Sequence, residues 1–303
     1  MILNKMEKPL VSVVVFTYNS MPYVIETLDS IKAQTYQNIE LIISDDCSQK
    51  DDTIEAVRKW LNINGSRFVR TELITIEKNM GVSLNVQRGK SHTTGEWIKG
   101  VAGDDRLAPV CISSFIDYIN KNPDARVVLS KIQPFKVVGG REIFVEEPTQ
   151  DRTFYIFSKS LEEQLDEMYI DDYCKSPAEF SHRSIVEQIK YDSRYPAMED
   201  YPYYLGLLKA GVRLYAVDKK LVYYRISESS SHSTMKFFAP KFHDCYYKFY
   251  IAERRDYLIE HHPEIAVRLD KMFMRYLIIK YIFKNKNNMF SRGAHFLLLK
   301  VFG

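Results

Sequence analysis

Missing features narrow the function of this chain first. Neither sign of charge is in large excess: 42 Lys+Arg stand against 39 Asp+Glu, a formal net charge of +3 over 303 residues. A protein whose main work is gripping nucleic-acid backbone normally shows a strong basic excess, so no nucleic-acid partner is expected. Cysteine is scarce too. Cys47, Cys111, Cys174 and Cys245 are scattered without a C-x-x-C pair, which fits a reducing compartment and argues against a structural zinc site. No run of about 18 apolar residues exists, so a conventional transmembrane helix is not expected. Met1 to Pro9 carries charges and no apolar core, so no signal peptide is read there and the expected location is cytoplasmic. The chain has no G-x-G-x-x-G or Walker loop, no G-x-S-x-G elbow and no H-E-x-x-H. Dinucleotide oxidoreductases, P-loop NTPases, serine hydrolases and zinc proteases of those types are therefore poor fits.

What remains is a globular composition, 46% hydrophobic and 27% charged, long enough for one large domain or a domain with an appendage. The first 130 residues alternate strand and helix signals. Val11-Ser-Val-Val-Val-Phe16 is too apolar for a half-exposed strand and reads as the centre of a parallel sheet. Ser20 and Pro22 then suggest a helix start, with Val24, Leu28 and Ile31 at helical spacing. Further strands are expected at Ile39–Ile43, Leu73–Ile76 and Glu96–Val101, with a helix from Gly81 to about His92. This alternation predicts an α/β fold of βαβ units. Val127-Val-Leu129 adds another β-rich run, Gly139-Gly140 marks a hairpin or loop, and the chain turns helical from about Pro240. In parallel sheets ligands bind beyond the carboxyl ends of the strands. Three strands end in Thr17-Tyr-Asn19, Ser44-Asp-Asp46 and Gly103-Asp-Asp105, and these segments are expected to meet at one crevice.

Each acidic pair has two readings. Asp104-Asp105 is either a solvated turn or a place where a cation offsets the repulsion of two carboxylates, as a divalent ion holding a diphosphate does. Asp46 is either a helix-start acid for the segment beginning near Asp51 or an acceptor for a base or ribose. Tyr18 either stacks on a nucleobase or packs. Glu199-Asp200, set among bulky residues, is either another helix start with Pro202 in its first turn or a desolvated acid suited to general-base work.

The order of these segments is more specific than any one of them. Thr17-Tyr-Asn19, Gln34-Thr-Tyr36, Glu40-Leu-Ile-Ile-Ser-Asp-Asp-Cys-Ser48, Asn79-Met-Gly81, Gly95-Glu-Trp-Ile98, Gly103-Asp-Asp105 and Met198-Glu-Asp200 succeed one another along the chain. Over about residues 9–232 this resembles the family-2 glycosyltransferases of the GT-A fold, in particular bacterial members that build capsule, O-antigen and other surface polysaccharides. The resemblance implies a Rossmann-like, mostly parallel sheet flanked by helices, with a helical C-terminal extension. It implies a transferase domain over 1–238, its nucleotide-binding half about 9–130 and acceptor-binding half about 131–238, and an extension over 239–303. It implies inverting transfer of a sugar from a nucleotide-diphosphate donor, UDP being commonest, to a saccharide or lipid-linked saccharide hydroxyl, with Mn or Mg as cofactor. Thr17, Tyr18, Asn19, Asp46 and Asn79 then line the nucleotide pocket. Asp104 and Asp105 match the metal element, Asp105 as the direct ligand. Asp200 matches the general base, with Glu199 in support.

Two departures stand out. Where relatives carry Arg-Asn, this chain has Val86-Gln87, which leaves Arg88 as the candidate phosphate contact. Where relatives carry Tyr-Arg-x-His, it has Tyr224-Arg225-Ile-Ser227, which leaves Arg225 for the diphosphate and His232 as a substitute histidine. Residues 268–303 hold eight Lys/Arg and a single acid, Asp270, interleaved with Phe273, Tyr276, Leu277, Tyr281 and Ile282. That tail reads either as a helical cap or as a peripheral contact with the inner face of the cytoplasmic membrane. Two alternatives stay open: a non-catalytic nucleotide-sugar-binding scaffold and a different nucleotide-sugar enzyme on a similar fold. A sugar-phosphate nucleotidyltransferase is disfavoured, because Phe16–Ser20 is not a Gly-rich basic loop.

Overall fold

The structure, a computed structural model, describes residues 8–146, 154–226 and 238–302. Its first half runs β1 (Val11–Thr17), α1 (Val24–Lys32), β2 (Ile39–Asp45), α2 (Thr53–Asn64), β3 (Arg70–Ile74), α3 (Val82–Ser91) and β4 (Trp97–Ala102). β1 pairs in parallel with β2 on one side and β4 on the other, and β3 continues the sheet beyond β2. These are the βαβ units that the alternation of signals predicts. Their apolar runs are buried on both faces, as the interior strands of a covered parallel sheet must be.

Beyond β4 the sheet becomes mixed. The chain continues through β5 (Arg106–Leu107), α4 (Cys111–Lys121), β6 (Val127–Val138), β7 (Arg141–Phe144), α5 (Leu161–Ile170), β8 (Glu179–His182), α6 (Arg183–Gln188), α7 (Asp200–Lys209) and β9 (Leu214–Arg225). The spatial order is β3-β2-β1-β4-β8-β6-β9-β5, with β7 paired on β6. β8 is antiparallel to both β4 and β6, whereas β9 runs parallel to β6. Gly139 and Gly140, at φ +57° and +77°, make the turn of the β6–β7 hairpin. The C-terminal region forms α8 (Pro240–Phe249), a π-helical turn over Tyr250–Arg254, α9 (Arg255–His261), α10 (Pro263–Tyr281) and α11 (Met289–Phe302). Among the described residues, no helix is long and apolar enough to cross a membrane.

Local boundaries differ from the expectations at two places. α1 begins only at Val24, with Tyr23 at its N-cap, so Ser20 and Pro22 precede the helix. The Ser20 hydroxyl accepts the Tyr18 N–H instead of capping. The third strand lies at Arg70–Ile74 rather than Leu73–Ile76, because its pairing is set by β2, where Glu40 faces Arg70 and Ser44 faces Ile74.

One buried charge explains two of the sequence motifs. Glu40 is fully buried, and its carboxylate accepts bonds from Ser12 Oγ (2.5 Å), Thr94 N (2.5 Å), Thr94 Oγ1 (2.7 Å) and Gly95 N (3.0 Å). Arg70 adds a bond of 3.1 Å. Burial works against the charge, but the bonds from Ser12, Thr94 and Gly95 outweigh it and hold the carboxyl below its usual range. Gly95 is needed because a Cβ there would lie 2.7 Å from the Ser12 N and 2.8 Å from the Leu10 O, backbone atoms with nowhere to go. Gly95→Ala is therefore expected to cost about 2 kcal/mol of stability by overpacking, read as a lower denaturant midpoint at unchanged slope.

Candidate active site

The parallel register brings three strand ends to one level. Thr17 lies opposite Asp45, and Phe16 opposite Ala102. The Asp46 N–H donates to the Thr17 carbonyl and the Gly103 N–H to the Phe16 carbonyl, each at 2.9 Å. The three polar segments are therefore neighbours along one edge. Gly103 leaves no room for a side chain, since a Cβ would sit 2.8 Å from Ser20 Oγ. Asn19 (φ +50°) and Cys47 (φ +69°) hold left-handed conformations at the ends of the first two strands, the kind of local strain that costs roughly 1–3 kcal/mol and gathers at functional sites.

The nucleotide-binding set inferred from the sequence divides into a rim and its support. Tyr18 is 48% exposed, so it is not the packing residue of the blander reading, and Asn19 and Asn79 also reach solvent. Thr17 and Asp46 are buried, with their polar atoms turned into the protein. Thr17 Oγ1 donates to Asp45 Oδ2 (2.7 Å), which also takes the Ser48 hydroxyl (2.6 Å). Asp46 accepts the N–H groups of Met80 (3.1 Å) and Gly81 (2.7 Å), and Asn79 Nδ2 donates to its carbonyl. It does not serve as a cap for α2, whose first turn is bonded by Asp51. The Arg88 guanidinium donates to Asn85 Oδ1 (2.7 Å) and the Asp45 carbonyl (3.1 Å) and lies 3.5 Å from Asp46. Arg88 thus braces the loop that carries Asn79. Ser48 and Asn85 belong to this support and were not singled out from the sequence, because their role depends on a pairing across strands.

Asp104 and Asp105 sit where the parallel and mixed halves meet. Asp105 Oδ1 accepts the backbone N–H of Arg225 at 2.9 Å, while Oδ2 is buried without a hydrogen-bond partner among the described residues. Burial, and then the neighbouring Asp104 charge, push its carboxyl up to about 7, against weaker opposite pulls from Lys99 and Arg225. Asp104 is the more open of the two and is also raised, chiefly by burial. This is not the solvated turn of the alternative reading. Arg225 is itself committed: Nε donates to the Asp104 carbonyl (2.9 Å), a terminal nitrogen to Glu26 (2.6 Å), and its plane lies over the Tyr23 and Phe135 rings. It braces the acidic turn from behind, through a partner, Glu26, that no motif indicated. Ser227 and His232 lie outside the described residues.

A second acidic group gathers around Asp200, which neighbours Asp172 in the segment that leads into β8. β8 runs antiparallel to β4, so the segment leading into β8 lies beyond the end of β4 that carries Asp104, and Lys99 on β4 donates to the Pro177 carbonyl there. Glu199 occupies the N-cap position of α7 without a side-chain capping bond, and Asp200 opens the helix. Asp200 Oδ1 accepts the Tyr201 N–H at 2.9 Å. Burial, then Asp200, push Glu199 up to about 7, and burial raises Asp200 as well. A third acid, Asp172, is pushed up to about 8 by burial and then by Asp200. Asp172 was invisible in the sequence because 28 residues separate it from Asp200. Tyr201, Tyr203 and Tyr204, which follow Asp200, are buried in the core. A cavity of 240 Å³, lined by Lys90, Arg183, Tyr191 and Tyr203 among others, lies at the far end of α3 from the Asp46 loop.

Two carboxylates without a third clustered ligand among the described residues, one of them with a buried unpartnered oxygen, fit a hard cation that takes its other oxygens from phosphate and water. A raised carboxyl pKa means the folded chain keeps a proton that the unfolded chain releases, so its stabilising share is lost as pH rises toward the folded value. Without metal, the unfolding free energy of the wild type should therefore fall relative to that of Asp105→Asn as pH goes from about 5 to about 8. Denaturant titrations at several pH values check this.

Residues 12–175 match the family model described as Glycosyl transferase family 2. A Haemophilus influenzae protein named as an uncharacterized glycosyltransferase is 31% identical over 114 residues, 38% of this chain and 34% of its own length. The putative glycosyltransferase EpsE of Bacillus subtilis is 29% identical over 133 residues, 44% of this chain and 46% of its own. The matches thus span less than half of these relatives. In structure, S. aureus TarS superposes with a TM-score of 0.56 at 18% identity, covering 97% of this chain and 48% of TarS. Its fragment 1–349, solved with UDP-GlcNAc, gives 0.55 at 19% identity, covering 97% of this chain and 80% of the fragment. With more than half of its length inside the family model, on a mixed α/β fold of the GT-A type, this chain belongs to glycosyltransferase family 2.

Proposed function

We propose that the chain transfers a sugar from a nucleotide-diphosphate donor to an acceptor hydroxyl with inversion, in the assembly of a surface polysaccharide. The observation that carries this reading is two desolvated acidic groups, Asp104–Asp105 at the end of β4 and Glu199–Asp200 at the start of α7, in a chain that matches the family-2 model. The acceptor oxygen attacks the anomeric carbon, its proton passes to Asp200, and the bond to the diphosphate breaks with its electron pair leaving on the nucleotide. A base must be ionised to act, and burial raises the Asp200 carboxyl above its usual range beside a Glu199 pushed up to about 7, so activity should rise as pH climbs above the ordinary carboxylate range. Glu199 shares the desolvated site and supports the base.

Asp104 and Asp105 are the residues that would hold Mg or Mn, which when bound offsets negative charge on a diphosphate. Tyr18, at the exposed end of β1, offers a ring face to the base, with Asn19 and Asn79 on the same rim. UDP is favoured as the donor nucleotide by the TarS complex with UDP-GlcNAc, a neighbour in fold. Names such as the putative teichuronic acid biosynthesis glycosyltransferase TuaG of Bacillus subtilis support the polysaccharide context. Arg88 and Arg225 act on the donor through the loops that they brace.

The C-terminal tail divides between the two readings of the sequence. Phe273 and Tyr276 of α10 are buried against the core, which is the helical cap. Met289, Phe290, Phe296 and Leu297 of α11 are exposed beside Arg292 and Lys300, which suits an anionic lipid surface at the cytoplasmic face.

Calorimetric titration with UDP, GDP and dTDP, each with and without Mn, tests the donor reading. Metal-dependent binding of one nucleotide that Asp105→Ala abolishes is expected, together with loss of sugar transfer in Asp200→Asn; absence of binding by all three would overturn the donor reading. For the tail, sedimentation with anionic liposomes should fall as ionic strength rises. No sedimentation at low salt would remove the membrane contact.

A further inference from the structure

Arg254 ends the π-helical turn of the C-terminal extension and is fully buried. A buried guanidinium is costly unless its donors are met, and among the described residues no carboxylate pairs with this one. Its neighbours show the contrast: Arg255 holds Asp270 in a two-bond fork, and Glu253 is bonded by Arg194 and Lys209. Arg254 is spent on main chain instead. Nε donates to the Tyr169 carbonyl at 2.8 Å and a terminal nitrogen to the Ile170 carbonyl at 2.7 Å. These are the last two residues of α5, where carbonyls lack helical partners and the helix dipole favours a cation.

The two segments that leave this clamp both carry acids of the candidate site. Directly after Ile170 the chain passes through Asp171 to Asp172. On the other side, the guanidinium plane lies 4.9 Å from the Tyr201 ring, whose hydroxyl donates to the Met168 carbonyl at 2.8 Å. Tyr201 is the residue next to Asp200, and its own N–H holds Asp200 Oδ1. One side chain from the extension therefore fastens the end of α5 and the start of α7 together, behind Asp172 and Asp200. π turns insert one extra residue and recur at functional sites. Here the turn ends on an arginine that points inward.

We propose that Arg254 is a positioning residue for the reaction: by clamping the α5 carbonyls and the Tyr201 ring, it sets the place of the Asp200 carboxylate from outside the transferase domain. The inference rests on Asp200 being the base. It makes the extension part of the catalytic apparatus rather than a cap or tether alone.

The test uses the full chain and donor hydrolysis, in which water stands in for the acceptor. Arg254→Gln is expected to lower kcat about a hundredfold, the scale of a 1 Å misplacement at a reacting centre, with UDP affinity and donor KM unchanged because the nucleotide rim is built from β1, β2 and α3. Arg254→Lys keeps the charge but loses the planar fork, and is expected to recover part of kcat. Tyr201→Phe, which removes only the bond to Met168, should lower kcat less and serves if Arg254→Gln does not fold. Wild-type kcat in the folded variants, or parallel loss of kcat and UDP binding, would overturn the proposal. Hydrogen exchange supplies a readout independent of activity: the amides of Asp171, Cys174 and Tyr201 should exchange faster in Arg254→Gln or Tyr201→Phe while those of α3 do not change. Unchanged exchange there sinks the clamp even in an active enzyme. A wild type that neither binds nor hydrolyses any nucleotide sugar sinks the catalytic reading instead, and the exchange rates then decide on the clamp alone.

Discussion

Parallel pairing of β1 on both of its sides is the constraint on which the candidate site depends. Parallel strands joined by right-handed crossovers all present their carboxyl ends to the same edge, so the segments leaving those ends must meet there. At one end of the sheet the buried carboxylate of Glu40 draws Ser12, Thr94 and Gly95 together and sets how β1, β2 and β4 align. At the other end the alignment puts Asp46 against Thr17 and Gly103 against Phe16. A slip of one residue would turn both faces of β1 inside out and separate the three polar segments.

Desolvation without full pairing is the second theme. Asp105 has one carboxylate oxygen bonded and one buried and bare. Glu199, Asp200 and Asp172 crowd a region where burial raises all three. Such arrangements weaken the empty fold, since each carboxylate would be better solvated outside it. Their presence beside a well-satisfied acid such as Glu40 separates charges that hold the sheet from perturbed acids of the kind that gather at functional sites. Arg225 and Arg254 play matched parts around them. Each is buried, stacked on aromatic rings and bonded to main-chain carbonyls, one behind Asp104–Asp105 and one behind Asp200.

The mixed half of the sheet adds what the parallel half lacks. β9 brings the Arg225 N–H to Asp105, and β8, running against β4, carries the chain from Asp172 back across that edge. The helical extension packs on α5 through the Tyr169–Tyr257 stack and the bonds of Tyr257 and His262 to Asp166, and on α7 through the Tyr201–Phe249 ring contact. A region that reads in sequence as an appendage is thus joined to the element that carries the candidate base.

Local patterns in the chain specify the βαβ half, the edge where its strands end, and the acids at Asp46, Asp104, Asp105, Glu199 and Asp200. Those patterns are apolar runs of strand length, helical spacing, and short polar segments in a fixed order. Two readings of Tyr18 fit the same patterns, and only the fold, by exposing its ring, removes the packing one; it alone buried Tyr201, Tyr203 and Tyr204. Folding likewise settled that Thr17, Asp46, Arg88 and Arg225 turn their polar groups inward as supports. It alone placed Asp172, Glu26 and Arg254. The reason is physical: a side chain's hydrogen-bond partner and its degree of desolvation depend on segments tens to hundreds of residues away, and no local pattern encodes them.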